Sequence, residues 1–321
     1  MKSDKRERIL EIFFRGLRGE ELSVSGLANE YNVSQKSISR DINDIKAFLS
    51  NHRELVGNAE FEYLNASRRY RLKIDEFLTS QELLALIEVI IGTRAFPKNE
   101  LVTMTDKLRR FTTVNDRGRL KKLINNELCQ YVELGHDCEN VCETLWQLAN
   151  VIGEKIEISI EYHRADRTSK TYRLRPVSLM FADSYFYMIA FETNDEAIPK
   201  YFRVDRVSAI TRHHERFTSK DAPDFDEGLL RRRSLFMWPG KLRTIRFEYT
   251  GISYQAALDK LPTAKIVDKC PGGYIIEAEV YGDGIMMWLL SQGEWVRVIS
   301  PPDFVEEYKR KLKAMLKKYG D

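Results

Sequence analysis

The apolar positions change period twice along the chain, and those changes divide it. From residue 6 to 49 they recur every three or four residues, the spacing of amphipathic helices. In "NVSQKSISRDINDIKAFL" (32–49), Ile38, Ile42, Ile45 and Leu49 share one stripe, while Lys36, Arg40 and Asn43 fall on the opposite one. "SVSGLANEY" (23–31) reads as a shorter helix with Leu27 buried and Ala28 small enough for close approach. Asn32, Val33 and Ser34 then make a tight turn, with Val33 pointing inward and Ser34 serving as N-cap of the next helix. "RERILEIFFRGL" (6–17) supplies a preceding helix through Ile9, Leu10, Phe13 and Leu17.

Helix, short turn and helix with a polar first turn is the helix-turn-helix pattern, whose second helix offers its N-terminal residues to the DNA major groove. The residues so offered are Ser34, Gln35, Lys36 and Ser37, followed by Arg40 and Asn43. "EFEYLNASRRYRLK" (60–73) alternates on both sides of Asn65-Ala66-Ser67, which predicts a hairpin with Arg68, Arg69 and Arg71 at its tip and return strand. Residues 1–76 are thus expected to form a winged helix. A purely structural three-helix bundle is the competing reading, and the basic hairpin tip argues against it. Lys36 and Arg40 can read guanine edges or hold phosphates, and the sequence leaves both roles open.

Residues 77–152 keep the helical period and read as a helical linker that also offers a dimer contact. Its first helix starts at "TSQELLALIEVIIG", with Ser80 as the expected cap and Gly92 as the stop. His136, Cys138 and Cys142 invite a metal reading, but no second Cys or His pair stands at ligand spacing, so no metal is assigned.

Over residues 153–217 the period falls to two. "KIEISIEYH", "TYRLRPVSL", "DSYFYMIAFE" and "PKYFRVDRVSAI" predict four or five short strands joined by short turns, the signature of a small barrel. Arg173 and Arg175 lie two apart and therefore face the same way. With Tyr162, His163, Arg203 and Arg206 they form a basic and aromatic set suited to an anion, since arginine forks bind phosphate and aromatic faces accept bases.

"RLRPVSL", "DSYFYMIAF" and "YFRVDRV" together resemble the core of the WYL domain, a small Sm-like (SH3-like) β-barrel named for a Trp-Tyr-Leu run. Phe186 stands at the Trp position, Tyr187 matches, and Met188 replaces the Leu; apolar bulk is kept, while stacking by an indole is lost. The resemblance implies a bacterial transcription regulator whose barrel senses a ligand, single-stranded nucleic acid among the ligands of the family. It places Arg173, Arg203 and Arg206 where the family's ligand-contacting basic residues lie, with Tyr162, Phe186 and Tyr187 as neighbours. For Phe186 and Tyr187 a place in the barrel core alone is an equal alternative, and Arg206 can instead bridge Asp205 or a neighbouring subunit.

After a polar connector (213–228) that includes His213 and His214, residues 218–321 are expected to hold a third globular unit. Its element order, βαββαβα, is that of a ferredoxin-like sandwich with an added helix, and it resembles the extension often found after WYL domains. Trp288 and Leu289 read as core. The fold class is therefore multidomain α+β.

Composition narrows the function without choosing it. The chain has 321 residues and a net charge of +3, and residues 1–73 carry fourteen Lys and Arg against eleven Asp and Glu, leaving the remainder balanced. The basic excess sits with the predicted DNA-binding region. Four cysteines without a pairing pattern and a start unlike a signal peptide point to the cytoplasm. There is no G-x-G-x-x-G, Walker loop, H-E-x-x-H or G-x-S-x-G, so neither catalysis nor a cofactor is expected. The combined expectation is a homodimeric transcription regulator that binds double-stranded DNA through the winged helix and an effector, nucleic acid or a phosphorylated ligand, at the barrel. The alternatives are a nucleic-acid-binding module acting through the barrel, and a nucleotide-sensing protein.

Overall fold

The structure is a computed structural model that describes residues 4–56, 59–74, 78–112, 114–135, 137–138, 140–218, 226–238 and 240–320. The chain is a mixed α and β protein that divides into two compact units, Met1–Leu134 and Gly135–Asp321.

The first unit begins with α1 (Lys5–Leu17), α2 (Val24–Glu30), α3 (Gln35–Asn51) and a short α4 (Arg53–Val56), followed by the antiparallel hairpin β1 (Ala59–Leu64) and β2 (Arg69–Ile74). Ser23 and Ser34 cap α2 and α3 through their side-chain oxygens, satisfying backbone donors that a helix start leaves open. Asn32 takes a left-handed φ of 52° in the turn between them, a conformation that asparagine tolerates. Ile38, Ile42, Ile45 and Leu49 are buried together with Leu27, Ala28, Phe61 and Leu72. The inward stripe of α1 differs from the expectation at one place: Ile12 is fully buried, and Leu10 is mostly exposed. Gly16 is also buried on that face, and a Cβ there would meet the Phe61 ring at 2.9 Å, so α1 seats directly on the hairpin. Leu22 exchanges two backbone hydrogen bonds of 2.8 Å with Tyr70, which ties the approach to α2 onto β2.

Three further helices complete this unit: α5 (Ser80–Thr93), α6 (Lys98–Arg109) and α7 (Val114–Gln130). Thr79, rather than Ser80, caps α5, in a reciprocal box with Glu82; the cap lies one residue earlier than expected because Glu82 stands three residues after Thr79.

The second unit opens with α8 (Val141–Glu154) and the strands β3 (Ile156–His163), β4 (Ser169–Ala182), β5 (Tyr185–Glu192), β6 (Asp195–Arg203) and β7 (Val207–Arg216), with a 3₁₀ turn at Val204–Arg206. The antiparallel sheet runs β6-β5-β4-β3-β7, and Leu148 and Val151 of α8 enter its core beside Ile158, Ile160, Leu174 and Phe202. The stretch expected to link the domains therefore ends in a helix belonging to this sheet. His213 and His214 lie on β7, where a connector was expected.

A helix not foreseen in the sequence, α9 (Glu227–Arg233), precedes β8 (Leu242–Tyr249), α10 (Tyr254–Lys260), β9 (Lys265–Cys270), β10 (Gly273–Tyr281), α11 (Gly284–Ser291), β11 (Val296–Ser300) and α12 (Pro302–Leu316). The order β11-β8-β10-β9 puts the two ends of the βαββαβ run side by side. Phe247, Trp288, Leu289 and Phe304 pack in its core. Leu230 of α9 and Met237 pack on Met180 and Ile189 of the five-stranded sheet, while Arg233 pairs with Glu279 of β10 at 2.6 Å. Among the described residues no helix is long and apolar enough to cross a membrane.

Candidate functional site

The residues singled out in the sequence lie in both units, and in the second they divide between different surfaces. In the first, capping of α3 sets the geometry. The Ser34 hydroxyl accepts the Ser37 N–H at 3.2 Å and lies 2.9 Å from the Ser37 hydroxyl, so these two serines hold the start of the helix. Burial of Ile38, Ile42 and Ile45 turns the other face outward, and Gln35, Lys36, Arg40 and Asn43 are all exposed there. Arg68, with a left-handed φ of 53°, and Arg69 are exposed at the hairpin tip. Arg71 is instead paired with Glu21 at 2.5 Å, and that bond holds the Glu21 carboxyl below its usual range.

A groove of about 450 Å³ beside the hairpin is lined by Lys46, Ser50, Arg53, Ala59, Glu60, Phe61 and Lys73. Its cations were not singled out beforehand. Lys46 continues the period of Lys36, Arg40 and Asn43, which was the available signal. Its ammonium stands 4.8 Å from the centre of the Tyr70 ring, joining α3 to β2.

In the second unit, strand alternation sorts the eight candidates onto different surfaces. Positions 156, 158, 160 and 162 of β3 enter the core, so Glu157 and Ser159 face the other way. Arg173 and Arg175 share that outward side and both reach Glu157, with Nε–oxygen distances of 3.1 and 2.8 Å. Beside them the Ser159 hydroxyl is 2.8 Å from His213 Nε2. His163 is half-buried at the end of β3, opposite Ser169.

Tyr162, Arg203 and Arg206 meet on the other side, around the 3₁₀ turn. The Tyr162 hydroxyl accepts the Arg203 backbone N–H at 3.1 Å, and the Arg206 charge acts on it as well. Burial raises the pKa of this phenol, and both arginines moderate the rise. The Arg203 guanidinium lies 3.4 Å over the Tyr185 ring and grips Asp205 through two bonds of 3.0 and 2.6 Å. Burial opposes its charge, but the Asp205 carboxylate outweighs that and leaves the pKa above its ordinary value. Tyr187 pairs with Arg203 across the strands and packs toward Met180 and Ile189. Phe186 packs against the sheet core and lies 5.0 Å from Phe181.

The arginines therefore fall into two groups, each already facing a carboxylate. An anion arriving at either must outcompete Glu157 or Asp205, which gives the site two electrostatic arrangements. Removing the carboxylate should cost stability, because the side chains of Arg203 and Asp205 are only 14% and 4% exposed. We expect Asp205→Ala to destabilise the second unit by about 3 kcal/mol, as when a buried pair loses one member. Chemical denaturation followed by the exposure of Tyr162 and Tyr185 measures it; a loss below about 1 kcal/mol would mean that Arg203 does not depend on this partner.

Among the described residues no group of three or more His, Cys, Asp or Glu is placed to hold a metal ion. His136 of the Cys138 and Cys142 set lies outside the described residues.

Comparison with known proteins follows the same division. The WYL domain family model matches residues 143–212, from α8 into β7. No curated protein sequence matches the chain. Proteasome accessory factor B/C (PafBC) of Arthrobacter aurescens is similar in structure at 16% identity and a TM-score of 0.31, over 98% of this chain and 49% of that one, so the chain spans about half of its length. A structure described as that of a CRISPR Cas-related protein is similar at 14% identity and a TM-score of 0.40, over 76% of this chain and 74% of the other. Likenesses this distant carry no functional argument. The family match and the five-stranded sheet coincide: residues 143–212 are similar to the WYL domain.

Proposed function

We propose that the protein is a DNA-binding transcription regulator of the bacterial WYL type, acting in the cytoplasm as a homodimer. In this reading residues 4–74 are a winged helix-turn-helix, the five-stranded sheet is an Sm-like ligand-sensing barrel, and the C-terminal βαββαβα region is ferredoxin-like. The observation that carries the DNA-binding part is the exposed stripe of Gln35, Lys36, Arg40 and Asn43 on a helix whose opposite stripe is buried against a hairpin with Arg68 and Arg69 exposed at its tip. A dimer follows from the usual use of such helices on two half-sites about one helical turn apart. The effector is an anion, a phosphorylated ligand or nucleic acid, that draws Arg203 or Arg173 and Arg175 from their carboxylates. Regulation requires that it bind the DNA-competent and DNA-incompetent arrangements with different affinity. Neither a catalytic step nor a cofactor enters this account.

Titration of duplex DNA against salt tests it. Affinity should fall steeply with salt, since phosphate contacts release counterions. Replacing Arg68 and Arg69 together by alanine should weaken binding to all sequences alike and reduce the slope of log K against log salt by about 2, close to one unit per lost contact. An unchanged slope would take the hairpin tip off the DNA backbone, and salt-independent binding would contradict the duplex-DNA reading itself.

A further inference from the structure

In the first unit the ends of α1 and α6 and the start of α5 enclose an apolar cleft of about 410 Å³, within the roughly 300–1,000 Å³ of small-ligand sites. Leu83 lines it from the core and is only 1% exposed. Leu17 and Leu108 are half-buried along it. Phe13 packs on the core of α1, α2 and α3, so the next position of the helix carries Phe14 off that core and into the cleft. Phe14, Leu78 and Phe111 remain 53%, 49% and 62% exposed. Three large apolar side chains thus meet water at one opening, a feature that marks binding sites on soluble proteins.

The rim adds charge. Arg18 ends α1, Arg110 ends α6, and both line the cleft with exposed side chains. Among the described residues neither side chain pairs with a carboxylate. Cations are favoured at helix C-termini, but at α6 that place is taken by Arg117, whose guanidinium donates to the carbonyls of Arg109, Arg110 and Thr112 at 3.3, 3.1 and 3.5 Å. Past Arg18 the cleft continues into a polar hollow of about 450 Å³. Its carboxylates are engaged: Glu21 pairs with Arg71 at 2.5 Å, and Asp116 accepts from the Ser80 hydroxyl at 2.9 Å.

We propose that this cleft binds an apolar carboxylate, such as a medium-length fatty acid, with its hydrocarbon body against Phe14, Leu78 and Phe111 and its carboxylate at Arg18 and Arg110. Burial of the three exposed side chains supplies the driving force, and guanidinium forks orient a carboxylate through paired hydrogen bonds. A neutral hydrocarbon would leave both arginines unused, and a small inorganic anion would leave the apolar walls in water. A second copy of the chain suits the face less well, because a two-fold contact sets the same patch against itself and would gather four guanidiniums in one place. The site uses no residue of the five-stranded sheet or of α3, so the inference goes beyond the proposed function and does not depend on it.

Calorimetric titration of the full chain with decanoate, decanol and decyltrimethylammonium tests the hydrocarbon body and the head group separately. Decanoate should bind at least about tenfold more tightly than either of the others. The double variant Arg18→Ala, Arg110→Ala, which changes only exposed side chains, should weaken decanoate about tenfold and leave decanol within about twofold. Phe111→Gln, also at an exposed position, should weaken both about tenfold in a chain that stays folded. Light scattering of the same proteins reports self-association. Decanoate binding that both variants leave within about twofold would overturn the site, as would either control binding as tightly as decanoate, or no decanoate binding up to about 1 mM. Self-association that Phe111→Gln abolishes, with no decanoate bound by the wild-type chain, would assign the face to a second copy and likewise overturn the proposal.

Discussion

Replacing Asp41 by alanine is expected to destabilise the N-terminal unit by about 3 kcal/mol or more. The Asp41 carboxylate takes the Arg8 Nε–H at 2.6 Å, and the two side chains are only 1% and 7% exposed. Both charges have left water, and their mutual attraction is what offsets that loss. Deleting one member leaves the other guanidinium desolvated without its carboxylate, which in comparable pairs costs about 3 to 5 kcal/mol. For a region of this size the melting transition should fall by more than about 10 °C. Calorimetry of the full chain, with hydrogen exchange of the α1 and α3 amides to assign the transition, measures it. The double variant Arg8→Met, Asp41→Leu should recover most of the loss, since apolar replacement of a whole buried pair is commonly near neutral. A fall of less than about 3 °C for Asp41→Ala would mean that α1 and α3 are joined by apolar packing alone.

The second large effect concerns affinity and leaves the fold alone. Lys36 and Arg40 are exposed on α3, so alanine at both should shift stability by less than about 0.5 kcal/mol. If they meet base edges or phosphates, each is worth about 1 to 3 kcal/mol of binding, and the double variant should bind its preferred DNA roughly 30-fold to 10⁴-fold more weakly. The two roles separate on the competitor. Loss of base contacts weakens the preferred sequence far more than bulk duplex, whereas loss of phosphate contacts weakens both equally and lowers the salt slope. Titrations of both DNAs at two salt concentrations make the distinction.

Periodicity made the helices and strands legible, and the limits of periodicity account for what was missed. The stripe from Ile38 to Leu49 and the Ser34 cap are local signals, and the structure carries both. On α1, Leu10 and Ile12 are equally apolar; the contact of Gly16 with Phe61 decides the inward face, and that contact spans 45 positions of sequence. From Leu242 onward the order of strands and α-helices is the one the sequence predicts, although β9 is exposed along most of its length and shows no alternating burial. The short α9 has no such pattern and is held through Leu230 and Arg233, by partners on other elements.

The candidate site was legible in its residue types and less so in its partners. Alternation correctly put Arg173 and Arg175 on one side of β4, but it cannot reveal that Glu157 of β3 reaches both. It likewise could not separate them from Arg203, whose surroundings are set by the turn at Val204–Arg206. Tyr185 carried no signal beyond its place at the start of β5, and only the folded sheet brings it under Arg203. The sequence offers Asp205 as a partner for Arg206; the structure gives it two bonds from Arg203, two residues away.

The central claim is that α3 reads DNA in a sequence-specific way, and selection from sheared genomic DNA by the full chain at near-physiological salt tests it most directly, beside the Lys36→Ala, Arg40→Ala variant. The account predicts a few enriched fragments sharing an inverted repeat with half-sites about one helical turn apart, and their loss in the variant. The same fragments enriched equally by the variant, or fragments recovered only as single strands, would contradict it and assign nucleic-acid binding to the WYL domain instead.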